Sequence, residues 1–205
     1  MAITVEISDY DNVMRGLKDC QKDLAKGVRR TMLDVARRGV KTVARNEVTK
    51  VYNIKKGDVS AKYKGYHEVG SITLAGVVIP FFEVDFESNR TFTPTHFQMT
   101  PKARPGGRRK YTVRWKPLKT GGKGPLPSDT GFPVFLAAAN GPSLPWNRLQ
   151  AKSWVKGANG WSHTPIEVIH THLAVPQMID NEKVQPHVES EISKRIESGL
   201  QKNIP

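Results

Sequence analysis

Four groups of side chains in this 205-residue chain have the types and spacing that chemistry requires. His170 and His172 stand two apart, so on a strand they share a face, as metal ligands do, and His163 is the candidate third imidazole. Glu83, Asp85 and Glu87 alternate with Phe82, Val84 and Phe86, and a row of carboxylates on one strand face is how a metal-dependent nuclease holds Mg²⁺. Gly121-Gly122-Lys123-Gly124 resembles part of a phosphate-cradling loop. Arg104, Arg108, Arg109 and Lys110 would neutralise phosphates, with Tyr111 and Trp115 stacking on bases.

Each group also has a plainer reading that weighs more. The histidines have no cysteine beside them, and the one carboxylate close by, Glu167, falls on the opposite strand face. They read as a polar face turned to solvent or to a neighbouring subunit. Residues 67–89 contain no Lys or Arg to assist a nuclease, so the acidic row reads as a solvated or subunit-facing edge. Gly124 stands where G-x-x-x-x-G-K-[ST] needs a hydroxyl. Tyr111 and Trp115 share their face with Val113, which reads as core. Cys20 is the only cysteine, which excludes an internal disulfide and a cysteine metal site and suits a reducing compartment. It falls on the apolar side of an expected helix, as a small buried hydrophobe. No G-x-S-x-G, H-E-x-x-H or convincing Ser/His/Asp order occurs. The expectation is therefore no catalytic residues, no metal and no cofactor.

Positioning these groups falls to helices at both ends and strands between them. Ile3, Val5 and Ile7 alternate as a short strand, and Ser8 and Asp9 offer caps for a short helix from Tyr10 to about Asp19. A second helix is expected over residues 21–49. Its apolar face carries Leu24, Val28, Met32, Val35, Gly39 and Val43, and its basic face Lys26, Arg30, Arg37 and Lys41. Gly39, on the packing face, would admit a close neighbour. Residues 54–62 read as a short basic helix or turn, 71–74 and 82–86 as strands, and 97–115 as a long basic β-hairpin bent at Pro105-Gly106-Gly107. Residues 118–131 read as a mobile loop, 132–139 as a buried segment and 140–161 as irregular chain holding Trp146, Trp154 and Trp161. A strand over 165–169 and helix from Val175 close the chain, with Pro186 opening a last helix striped by Val188, Ile192, Ile196 and Leu200. The class is α+β: a long N-terminal amphipathic helix and a C-terminal helix packed on an antiparallel sheet. One domain over residues 1–205 is expected, with a basic hairpin and loop excursion at about 90–131.

Hydrophobic residues make up 38% of the chain, too many for a disordered protein, and no stretch is apolar enough for a membrane span. The N-terminal MAITVEISDYD lacks a basic region and an apolar core, so no signal peptide is expected. The net charge of +13 is unevenly placed. Residues 90–124 hold ten Lys/Arg and no Asp or Glu, directly after residues 67–89, which hold Glu68, Glu83, Asp85 and Glu87 and no cation. A chain polarised in this way suits head-to-tail contacts between copies, or an anionic partner.

Two blocks carry a family resemblance. The first is the long helix ending in Val43-Ala44-Arg45 with the basic turn over 51–59; the second, sharper, is Pro165-Ile166-Glu167-Val168-Ile169, a short gap, then Leu173-Ala174-Val175-Pro176 and a charged terminal helix. In these blocks the chain is similar to the phage minor tail protein Z family, over roughly the first 60 and last 45 residues. The resemblance implies a structural virion protein of the head–tail neck, which completes or terminates the tail, helps to join head to tail, and has no catalytic residues. It implies a homo-oligomeric ring, of hexameric symmetry, contacting other neck and tail proteins without a membrane, first in the host cytoplasm and then in the virion. Arg104, Arg108, Arg109, Lys110, Arg30, Arg37 and Lys41 are the candidate contacts to a subunit or to DNA, and Glu83, Asp85 and Glu87 the candidate acidic interface. The alternative is a basic DNA-binding protein acting in packaging or positioning of genomic DNA.

Overall fold

The computed structural model describes residues 10–74, 76–88, 91–107, 110–138, 142–149, 155–157, 160–162 and 165–204, with side chains from residue 18 onward except those of 155–157 and 160–162. The N-terminal strand expected at residues 2–8 lies outside the described residues. The chain divides into two compact units, the first built from residues 1–43, 64–85 and 189–205, the second from 44–63 and 86–188.

Nothing between Asp19 and Gln21 breaks a helix, and none ends there. Helix α1 (Tyr10–Asp34) runs through Cys20, passes a π-helical turn at Val35–Gly39 and continues as α2 (Val40–Val51). Asp34 and Val40, on either side of the turn, keep right-handed helical torsions. The break expected near residue 20 is therefore corrected, and so is the burial of Cys20, which is exposed. The apolar stripe is where its spacing put it. Val35, Gly39 and Val43 are buried and Leu24, Val28 and Met32 half-buried, while Lys26, Arg30 and Arg37 are exposed.

In the first unit that stripe meets the final helix, α5 (Gln185–Asn203). The places where Cβ atoms would sit on Gly27, Gly199 and Gly39 face the Asn203 backbone, Thr31 and Arg195 respectively. Contacts that advance on one helix and retreat on the other make the pair antiparallel. Glycine permits the close approach: a Cβ at Gly199 would lie 2.6 Å from the Cγ2 of buried Thr31, whose Oγ1 accepts from Asn203 Nδ2 at 3.0 Å.

The same unit holds most of a β-hairpin, β1 (Tyr63–Leu74) and β2 (Val77–Phe86). β1 starts well before the strand expected at 71–74. Its glycines and charged residues hide the alternation, but β2 pairs with it along its length. Pro80 sits buried inside β2, tolerated because a two-stranded sheet leaves N–H positions that need no partner. Tyr66 and Phe82 pack edge to face across the strands at 6.1 Å. Arg29 on α1 donates to Glu68 on β1 at 2.8 Å.

The second unit is built on three antiparallel strands, β5 (Phe135–Ala138), β6 (Ser143–Arg148) and β9 (Ile166–Val168), in the order β5-β6-β9. Trp146 pairs with Phe135 on one side and Val168 on the other. The sheet closes over Leu136, which has no exposed surface and packs with Met99, Val113, Leu126 and Ile169. Residues 143–148, expected to be irregular, are thus the central strand. Pro145 hid the alternation, and Trp146 anchors the strand by donating from Nε1 to the Ala137 carbonyl at 3.2 Å. Trp154 lies outside the described residues, and Trp161 falls in β8 (Gly160–Ser162), which pairs with β7 (Val155–Gly157).

The long basic hairpin over 97–115 does not form as a ladder. A single bridge, Thr100 with Arg114, joins its arms by two hydrogen bonds of 2.7 and 2.8 Å. Pro101 and Pro105 follow on one arm and have no N–H to donate. Strand β3 (Arg114–Trp115) pairs instead with β4 (Gly124–Pro125). The supposed mobile loop therefore supplies a strand, and Leu126 enters the core. Short helices α3 (Lys56–Ala61) and α4 (Val175–Ile179) complete the unit, and Pro186 lies in the first turn of α5. The fold class is α+β, with four small sheets rather than one among the described residues.

Tyr52 marks a pH-sensitive point in this unit. It is buried, bridges to Leu118 and shares a side-chain hydrogen bond with Asn181. Burial pushes its phenol above the ordinary value, and the Asn181 bond pulls it part of the way back. The unfolded chain then ionises first as pH rises, so the stabilisation is complete below the ordinary tyrosine pKa of about 10 and is lost above it. Tyr52→Phe should cost about 0.5–1.5 kcal/mol at pH 8 through the lost hydrogen bond. Urea titrations at pH 8 and pH 10.5 should show the gap between variant and parent narrowing at the higher pH.

Candidate functional site

The acidic row divides between two settings. On β2, Glu83 and Asp85 turn to the open side of the hairpin and meet His67 from β1, with Nδ1 to Asp85 at 3.1 Å and Nε2 to Glu83 at 3.6 Å. All three are well exposed. Glu87 lies one residue beyond the strand and belongs to the second unit, where Lys62 Nζ holds it at 3.0 Å between two largely covered side chains. Lys62 also lies over the Phe92 ring, 5.5 Å from its centre. The expectation that all three carboxylates share one face is corrected for Glu87, because β2 ends at Phe86 and the alternation ends with it. His67 escaped the sequence reading, since it is legible only once residues 63–74 are known to pair with β2.

The basic segment lies on the surface of the second unit. Lys102, Arg104, Lys110, Arg114, Lys119 and Lys123 are all exposed, and residues 91–128 contain no carboxylate. Arg108 and Arg109 lie outside the described residues. Lys123 Nζ donates to Thr100 Oγ1 at 2.7 Å, which ties the β4 end of the segment to the base of the excursion. On the first unit Arg30 and Arg37 are exposed and Lys41 half-buried. The aromatic residues beside the basic segment turn inward. The Tyr111 hydroxyl accepts from the Leu136 N–H at 2.9 Å, and Trp115 packs edge to face on Phe97 at 5.7 Å. Both rings are half-buried and pack on the Leu136 core.

His170 and His172 follow β9 and flank buried Thr171, whose N–H and hydroxyl both donate to the Phe92 carbonyl, at 2.8 and 2.6 Å. The imidazoles line a polar cavity of about 220 Å³ with Asp129, Asn147 and Glu167. Glu167, placed on the opposite face by strict alternation, lines the same cavity because β9 stops at Val168. His163 lies outside the described residues. Among the described residues no group of three or more His, Cys, Asp or Glu is placed to hold a metal ion, and no helix is long and apolar enough to cross a membrane.

Comparison of the chain with protein-family models, with curated proteins and with solved structures gave no match. The arrangement of charge is what remains to reason from. An exposed acidic pair stands on a hairpin of one unit, and an exposed cationic segment free of carboxylates lies on the other.

Proposed function

We propose that this chain is a structural, non-catalytic assembly protein of a tailed-phage neck, which completes or terminates the tail and helps to join head to tail as a homo-oligomeric ring. The observation that carries the reading is the pair of oppositely charged surfaces, Glu83 and Asp85 on the hairpin against the basic segment from Lys102 to Lys123. Complementary patches at different places on one molecule associate head to tail, and such contacts close into rings when the rotation allows. The neck assignment rests on the two sequence blocks that resemble the minor tail protein Z family, and a hexamer would match a sixfold tail tube.

The same cations favour a second reading, a basic protein that contacts genomic DNA. One experiment separates the two. The purified chain, with and without duplex DNA, is sized by light scattering across a salt series. A discrete oligomer of one mass without DNA supports assembly. A monomer that binds DNA supports the second reading, with log K falling against log[salt] by about 0.9 for each phosphate neutralised.

A further inference from the structure

The β1–β2 hairpin carries more apolar surface than its unit covers. Val69, Ile72, Leu74, Val78 and Phe81 are 56%, 46%, 63%, 45% and 42% exposed. Every residue of β1 from His67 to Leu74 is exposed, although Arg29 of α1 holds Glu68. Strand alternation puts Val69 and Phe81 on the face of His67, Glu83 and Asp85, and Ile72, Leu74 and Val78 on the other. Scattered apolar side chains are ordinary on a protein surface, but an exposed Val–Phe pair beside exposed carboxylates on a ribbon face suits an interaction site. A two-stranded ribbon is also marginal in water without something packed against it.

The charge around the patch selects the occupant. Residues 67–85 carry Glu68, Glu83 and Asp85 and no Lys or Arg, in a chain whose net charge is +13. That acidic flank disfavours a phosphate backbone or an anionic lipid surface and favours a cationic protein surface. Another copy of this chain presents one, with exposed Lys102, Arg104, Lys110, Lys119 and Lys123 on a segment without carboxylates. Copies of a +13 chain repel one another unless the contact sets negative against positive, and the hairpin is where a run of the chain is free of cations and acidic.

We propose that the β1–β2 hairpin docks onto a second copy of this chain by the face that carries Val69, Phe81, Glu83 and Asp85, the two apolar side chains forming the buried centre of the contact and the two carboxylates lying against that copy's basic segment. The proposal rests on the assembly reading above and names the element that grips the neighbour. The donor and receiving surfaces are different parts of the molecule, so each copy can give its hairpin to one neighbour and receive another's.

The test uses the full chain, sized by light scattering at near-physiological salt. The double substitution Val69→Asp and Phe81→Asp should abolish the oligomer and leave a monomer with the parent's far-ultraviolet circular dichroism. Glu83→Lys with Asp85→Lys should do the same, and mixing that variant with a copy carrying Lys102→Glu, Arg104→Glu and Lys119→Glu should restore a mixed assembly. A Val69/Phe81 variant that keeps the parent's oligomeric mass overturns the hairpin proposal and leaves the assembly reading standing. A parent chain that stays monomeric at every concentration overturns both. Should the double variants fail to fold, an environment-sensitive dye on Val69→Cys, in a Cys20→Ser background, gives an independent readout. Addition of unlabelled parent should shift its emission to the blue, and an unchanged emission while oligomers form overturns the proposal.

Discussion

Leu136→Ala should lower the stability of the second unit by about 2–5 kcal/mol. Leu136 has no exposed surface and stands where β5 meets side chains from four other segments, Met99, Val113, Leu126 and Ile169. All four lie just outside short strands or bridges, Met99 before the Thr100 bridge, Val113 before β3, Leu126 after β4 and Ile169 after β9, and they converge on this one side chain. All four tryptophans lie in this unit's residues, so urea unfolding followed by tryptophan fluorescence reports on it directly. Leu149→Ala is the control: Leu149 is 48% exposed, and its removal should change stability by less than about 0.5 kcal/mol. Equal losses for the two would show that Leu136 is not the centre of this core.

The second large effect has a sign that helix propensity alone gets wrong. Gly27→Ala lies in the middle of α1, where alanine is favoured over glycine by about 1 kcal/mol. The new Cβ would nevertheless meet the carbonyl of Asn203, with the Asn203 carbonyl carbon at 3.0 Å and Ile204 Cγ1 at 3.2 Å. The obstacle is backbone rather than the tip of a side chain, so the helices must separate, at an overpacking cost of about 1–3 kcal/mol that exceeds the propensity gain. Gly27→Val should be worse again. Gly57→Ala, in α3 with open space around it, should stabilise by up to about 1 kcal/mol. Thermal unfolding followed by circular dichroism distinguishes the two. A Gly27→Ala variant more stable than its parent would show that α1 and α5 do not approach this closely.

The helices were the most legible part of the chain. Steps of three and four residues from Leu24 to Val43 marked the face that α1 and α2 bury, and the stripe through Val188 and Ile192 marked α5. The end of the first helix was misplaced at about Asp19, where no Gly or Pro enforces a stop. Strands fared unevenly. Residues 82–86 and 166–168 were clear from alternation, whereas β6 was hidden by Pro145, and β1 by Gly65, Gly70 and its charged residues. In both hidden strands the deciding contact is a partner strand, the distant Val168 for Trp146 and the adjoining β2 for β1.

The candidate site was half visible in the same way. Opposed charge blocks at 67–89 and 90–124 can be read by counting. That His67 sits between Glu83 and Asp85, that Glu87 goes to Lys62, and that Tyr111 and Trp115 face Leu136 follows only from pairing and packing.

By itself the sequence determined the α+β class, the helical faces, the lone cysteine and the polarised charge, because periodicity and composition are local properties of a chain. Tertiary structure alone decided which carboxylates share a surface, which aromatic rings are buried, and that the hairpin over 63–86 is left with its apolar side chains exposed. Those outcomes depend on where strands end and on which distant segments meet, and a side chain's exposure belongs to the packed molecule rather than to its place in the sequence.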